Sequence, residues 1–161
     1  MPTCTALIVA GGRGARFGGS LPKQYALFAG ESVLRRSVTA FRDAPGIDRL
    51  QVVIGVDDDD RYQAAVGDLG LPPPVRGGPT RQHSVANGLE ALSGSPPDLV
   101  AVHDAARPFV RPTDIAACLA ALADPSVDGA VLGVPLADTL KRADDAGVIS
   151  GTVPRSGLWR A

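Results

Sequence analysis

The stretch Ala6-Leu7-Ile8-Val9-Ala10-Gly11-Gly12-Arg13-Gly14-Ala15-Arg16-Phe17-Gly18-Gly19-Ser20-Leu21-Pro22-Lys23-Gln24-Tyr25 decides the fold class. Five apolar residues without a polar interruption read as a strand covered on both faces, the habit of parallel sheets. Glycines directly after such a strand let the backbone approach an anion closely and present N–H groups to it. Two familiar phosphate loops are excluded. The dinucleotide fingerprint needs a small residue where Phe17 stands and a helix at once, and Pro22 keeps the loop open. The P-loop needs Gly-Lys-Ser/Thr, which is absent. Charge is the stronger signal: residues 1–30 contain no Asp or Glu, yet they carry Arg13, Arg16 and Lys23. Guanidinium forks and an ammonium point charge suit phosphate oxygens.

Outward from this loop, short apolar runs alternate with helical patterns. The expected strands are Ala6–Ala10, Leu50–Val56, Leu99–His103 and Ala130–Val134. The expected helices are Ser32–Arg42, Asp60–Leu69, Arg81–Leu92 and Thr113–Ala123, with Thr80 and Thr113 as N-caps and Pro112 just ahead of the second. This alternation predicts an α/β fold: a Rossmann-like, mostly parallel sheet with helices on both faces. Ligands in such sheets bind at the carboxyl ends of the strands, which directs attention to the loops after Ala10, Val56, His103 and Val134. Beyond Pro135, Thr139–Arg142 and Val148–Val153 flank the turn Asp144–Gly147, a hairpin signal that predicts a protruding β-arm. Such an arm exposes edges that a second subunit commonly covers.

The chain of 161 residues and 16.5 kDa fits a single domain, 1–161. Its 45% hydrophobic and 20% charged residues suit a folded globular protein. Sixteen basic against seventeen acidic residues give a net charge of -1, without the basic excess of nucleic-acid or membrane-surface binders. No apolar run approaches the roughly 20 residues a membrane span requires. The N-terminus lacks the pattern of a signal peptide. Two cysteines, Cys4 and Cys118, point to a reducing cytoplasm, with Cys118 expected in the core.

Several blocks, taken in order, resemble the 2-C-methyl-D-erythritol 4-phosphate cytidylyltransferase family, within the glycosyltransferase-A-type nucleotidyltransferases. They are Ala10–Gly18, Pro22–Tyr25, Gly77-Gly78-Pro79-Thr80-Arg81-Gln82-His83-Ser84-Val85, Val102–Phe109, Asp138–Lys141 and Thr152–Trp159. Pro79 stands where the family often has an acidic residue, and family members continue beyond Leu158-Trp159-Arg160-Ala161, some into a fused cyclase, so the chain is expected to be C-terminally incomplete. The resemblance implies attack by the phosphate of methylerythritol phosphate on the α-phosphorus of CTP, in isoprenoid synthesis by the non-mevalonate route. A ribitol 5-phosphate cytidylyltransferase and an inactive CTP-binding fragment stay open as alternatives.

The resemblance also implies residue roles. Arg16 and Lys23 stabilise the charged transition state. Ala10, Gly11, Gly12 and Gly14 line one side of the CTP pocket, while Gly78 and Ser84 meet the cytosine or ribose. Arg107, Thr139 and Arg155 grip the sugar phosphate, with the 135–158 arm pairing two subunits into a homodimer. Asp104, read from the residues alone, is equally a turn cap or partner of Arg107 and a Mg²⁺ ligand; the resemblance favours the metal. Arg155, taken bare, reads as a solvated surface cation. His103 reads as a buried hydrogen-bonder, His83 has no partner identifiable from the sequence, and the run Asp57–Asp60 reads as a helix start.

Overall fold

The computed structural model describes residues 2–12 and 21–161. Its contacts divide into two units, Met1–Ala117 and Cys118–Ala161.

In the first unit, β1 (Cys4–Ala10) runs between β4 (Arg49–Ile54) and β6 (Leu99–Asp104), and β5 (Val75–Arg76) adds to β4. All pairings are parallel, in the order β5-β4-β1-β6. The apolar run of β1 is central because both its neighbours and both its faces are occupied: Ala6, Leu7 and Ile8 have no exposed surface. Side chains alternate faces along a strand, so Leu7 and Ile8 point to opposite layers. On one side lies α3 (Arg81–Ala91), where Gly88 brings the helix backbone against Leu7 and Val53. On the other lies α1 (Val33–Arg42), which buries Leu34, Ser37, Val38 and Phe41, one stripe of a helix. Phe41 packs on His103, which pairs with Ile8 in register, and Ser37 Oγ donates to the Ala105 carbonyl at 2.9 Å. Helices thus cover both faces of the sheet, as the alternation of elements predicts.

Two aspartates bracket the start of β1. Asp48 Oδ2 accepts the Cys4 amide at 2.7 Å, and Asp98 Oδ2 accepts the Thr3 amide at 2.7 Å and its hydroxyl at 2.9 Å. These contacts hold the Asp98 carboxyl below the usual carboxylate range. Ser32 caps α1 by accepting the Arg35 amide, and Thr80 caps α3 by accepting the His83 amide. The acidic run starts a helix as expected, α2 (Asp59–Val66), continued by a 3-10 turn at Gly67–Leu69. A two-residue ribbon, β2 (Leu27–Phe28) with β3 (Glu31–Ser32), leads into α1. Helix α4 spans Pro112–Ala121, so it opens on the proline itself and Thr113 lies inside it rather than capping it.

The second unit holds the hairpin of β8 (Leu140–Ala143) and β9 (Ile149–Val153), antiparallel, one residue from the expected boundaries. Asp144 sets its turn by accepting the amides of Ala146 and Val148 on Oδ1. The expected strand Ala130–Val134 does not form as such. Residues 130–133 carry no strand, and only β7 (Val134–Pro135) pairs, antiparallel, with β10 (Trp159–Arg160). An apolar run identifies a segment suited to burial, but a strand exists only where a partner backbone meets it, and Val131 stays 80% exposed. Cys118 is half-buried rather than a core residue, because Ile115 is the buried residue of α4; Cys4 is fully buried, and neither forms a disulfide. Among the described residues no helix is long and apolar enough to cross a membrane.

Candidate functional site

The carboxyl ends of β1, β4, β5 and β6 meet at one rim of the sheet, and Ala10, Gly11, Gly78, Ser84 and Asp104 lie there. Ala10 ends β1 and is buried, Gly11 is half-buried and Gly12 is exposed. Arg13, Gly14 and Arg16 lie outside the described residues.

Ser84 organises the second edge of the rim. It sits in the first turn of α3, 2% exposed, and its hydroxyl donates to the Thr80 carbonyl at 3.0 Å while accepting the Gly78 amide at 3.1 Å. Gly77 donates its own amide to the Ile54 carbonyl at 2.8 Å. A methyl group on Gly77 would stand 2.8 Å from Ser84 Oγ and 3.2 Å from Ile54 O, so only glycine fits between the end of β4 and the start of α3. Gly11 approaches the same hydroxyl: a methyl there would stand 3.3 Å from Ser84 Oγ. Gly11, Gly77, Gly78 and Ser84, separated along the chain, thus form one backbone-lined corner.

Asp104, the last residue of β6, supplies the acidic group. Its Oδ1 accepts Arg81 Nε at 2.7 Å, and Arg107 Nε stands 3.4 Å from Oδ2. The pairing with Arg107 is the one the spacing allows; Arg81 was not foreseen, although its position as the first residue of α3 marks it as belonging to the rim. The carboxylate side chain keeps 31% exposure, enough for a ligand to reach it. His103 is half-buried: Nε2 lies 3.1 Å from the Arg107 carbonyl, and burial holds its imidazole below the usual range. A neutral ring donating from Nε2 satisfies that contact and anchors the Arg107 loop. His83 gains a partner that the sequence did not reveal, with Nδ1 2.7 Å from Thr80 Oγ1.

Lys23 opens a 3-10 turn, Lys23–Tyr25, and is half-buried. Its neighbour Gln24 fastens this turn to the exit of β1, donating from Nε2 to the carbonyls of Ala10 at 2.6 Å and Gly12 at 2.9 Å. Sequence reasoning missed Gln24, and its one available signal was its adjacency to Lys23. Asp58, at the start of α2, is 8% exposed and pairs with Arg61 at 2.5 Å, while Asp59 pairs with Arg76, so these two members of the acidic run are engaged in ion pairs.

Thr139 and Arg155 belong to the second unit. Both are exposed; Thr139 directly precedes β8, and Arg155 donates to the Ala137 carbonyl, two residues before Thr139. Lys141 Nζ donates to Thr152 Oγ1 across the hairpin at 2.7 Å.

Fold and rim together define a Rossmann-like α/β protein whose rim carries a corner of glycine backbone beside the Asp104 carboxylate and its two arginine partners. The chain belongs to the 2-C-methyl-D-erythritol 4-phosphate cytidylyltransferase (IspD) family, whose sequence model matches residues 4–161. A "Bifunctional enzyme IspD/IspF" of Paramagnetospirillum magneticum is 47% identical over 161 residues, covering 100% of this chain and 41% of that protein. A 2-C-methyl-D-erythritol 4-phosphate cytidylyltransferase of Cereibacter sphaeroides is 47% identical over 160 residues, 99% of this chain and 70% of its own length. A crystal structure of 4-diphosphocytidyl-2C-methyl-D-erythritol synthase superposes with a TM-score of 0.79 at 32% identity, covering 99% of this chain and 71% of the other. The Francisella tularensis cytidylyltransferase structure gives 0.74 at 28% identity, over 98% and 69%. The chain therefore spans about two-fifths of the bifunctional relatives and about 70% of the monofunctional one.

Proposed function

We propose that this chain provides the cytidylyl-transfer site for joining CTP to 2-C-methyl-D-erythritol 4-phosphate. A phosphate oxygen of the acceptor attacks the α-phosphorus of CTP, the bond from that phosphorus to the β-phosphate bridge breaks, and pyrophosphate leaves. The observation carrying this reading is the family match over residues 4–161, read with a rim that joins the Gly11–Gly12 exit, the Gly77–Ser84 corner and Asp104.

Phosphoryl-type transfer between anions asks the protein for positioning and charge neutralisation more than for covalent work. Arg16 and Lys23 are assigned the charge that builds at the α-phosphorus. Ala10, Gly11, Gly12 and Gly14 are assigned one wall of the nucleotide pocket, and Gly78 and Ser84 the wall that meets cytosine or ribose. Because the Ser84 hydroxyl already serves Gly78 and Thr80, base contact on this side falls mainly to backbone groups that Ser84 fixes in place. Arg107, Thr139 and Arg155 are assigned to the acceptor's phosphate, and the 135–158 arm to a homodimer in which Thr139 and Arg155 serve the partner's pocket. The exposed Val148 and Ile149 of the hairpin support an arm that a second subunit covers.

Mg²⁺ fits the residues present in one form. Among the described residues no three His, Cys, Asp or Glu side chains cluster to hold a resident ion. Mg²⁺ is commonly held by one or two carboxylates with substrate phosphates and water completing its shell, and Asp104 supplies one reachable carboxylate. Bound there, the ion would neutralise triphosphate charge and orient the leaving pyrophosphate. The two free cysteines support a reducing, cytoplasmic setting. The test is pyrophosphate release from CTP and Mg²⁺ with each acceptor. Turnover with methylerythritol phosphate is expected; turnover with ribitol 5-phosphate instead, or CTP binding without turnover, would overturn the assignment.

A further inference from the structure

We propose that Gln24 is a positioning residue for the nucleotide site, a role that rests on the cytidylyl-transfer reading. Gln24 is 4% exposed, and Nε2 reaches two backbone carbonyls, Ala10 at 2.6 Å and Gly12 at 2.9 Å. A primary amide nitrogen carries two N–H groups, and both are spent on the exit of β1. The elements joined by this contact stand without it. The turn is closed by Tyr25 N to Pro22 O at 2.9 Å and Ala26 N to Lys23 O at 3.1 Å, and its continuation is held by Val33 N to Ala26 O at 3.0 Å. β1 is held by parallel partners on both sides. What Gln24 adds is a fixed separation between the turn that carries Lys23 and the Ala10–Gly12 backbone. Cation and backbone donors must act on one triphosphate, and charge stabilisation depends on holding such groups in place before the ligand arrives.

The residue type is dictated by the acceptors. Glutamate would turn carboxylate oxygens toward two carbonyl oxygens, leucine would leave both carbonyls without this donor, and asparagine is one methylene too short to serve both. Two measurements on Gln24→Leu and Gln24→Glu test the role. Steady-state kinetics should show KM for CTP raised about tenfold or more, the scale of two lost hydrogen bonds, with KM for the polyol phosphate changed less than twofold. Amide hydrogen exchange should be at least tenfold faster at Gly11, Gly12 and Lys23–Ala26 and unchanged at Val52–Ile54. An unchanged KM for CTP, equal rises for both substrates, or unaltered exchange at those amides would overturn the proposal. If the parent chain itself turns over no CTP, the functional reading has failed separately, and the exchange measurement alone decides whether Gln24 fixes the two segments.

Discussion

Arg81, the first residue of α3, donates its Nε–H to Asp104 Oδ1, at the end of β6, over 2.7 Å. With Arg107 on the other oxygen, the carboxylate is held between two guanidiniums, and the ends of a strand and a helix are tied across the rim. Under the proposed function, a cation bound through Asp104 would have to compete with these two partners. Replacing Asp104 by Asn keeps the shape and removes the charge. We expect pyrophosphate release to fall at least about a hundredfold, the scale of a lost preorganised electrostatic contact. Arg81→Ala breaks an ion pair in which the arginine side chain is 61% exposed, so melting followed by circular dichroism should shift only slightly.

Ser84 faces a different demand. Its hydroxyl serves the Gly78 amide and the Thr80 carbonyl inside a buried corner. Ser84→Ala leaves the Gly78 donor without this partner, a cost of about 1–3 kcal/mol. Urea unfolding should report that loss, and KM for CTP should rise because the Gly77–Gly78 backbone is no longer fixed.

Packing under α3 has almost no tolerance. A methyl group on Gly88 would lie 2.6 and 2.8 Å from the two Leu7 methyls and 2.9 Å from a Val53 methyl. Gly88→Val should cost about 1–3 kcal/mol by overpacking, even though valine is the better helix former. A urea midpoint equal to that of the parent would contradict the packing described.

His103 links stability to pH. Burial holds its folded pKa below the ordinary imidazole value of about 6.5, so the unfolded chain binds more protons as the pH falls. Stability carried by the neutral ring is therefore present above about pH 6.5 and declines below it. His103→Gln, which keeps a donor for the Arg107 carbonyl, should flatten the pH dependence of the unfolding free energy between about pH 7 and 5. Identical slopes for parent and variant would refute the assignment.

Much of the fold was legible along the chain because its signals are local. The unbroken apolar run Ala6–Ala10 announces a doubly covered strand, and the stripe Leu34, Ser37, Val38 and Phe41 follows helix periodicity. Thr80 caps α3 within a single turn, as the sequence indicated, and the Asp144–Gly147 turn joins strands adjacent along the chain. Ala130–Val134 carries the same apolar signal as the true sheet strands, yet pairing depends on which backbone lies alongside. β5, two residues long, is too short to produce any periodicity and exists because β4 offers it an edge. At the site, the glycine exit and Asp104 could be named from position alone. Arg81 and Gln24 could not, since their contacts lie 23 and 14 residues away.

The order of amino acids by itself determined the longer central sheet strands and the helices, where glycine replaces a side chain, and that the opening residues carry cations without acids. Those properties depend on neighbours within a turn or two, where sterics and alternating polarity act directly. Only the tertiary structure decided that Asp104 lies between Arg81 and Arg107, that Ser84 fills the space left by Gly77, and that Gln24 reaches Ala10 and Gly12. Such contacts arise when hydrophobic burial brings distant segments together, and directional hydrogen bonds then select among the polar groups left at the junction.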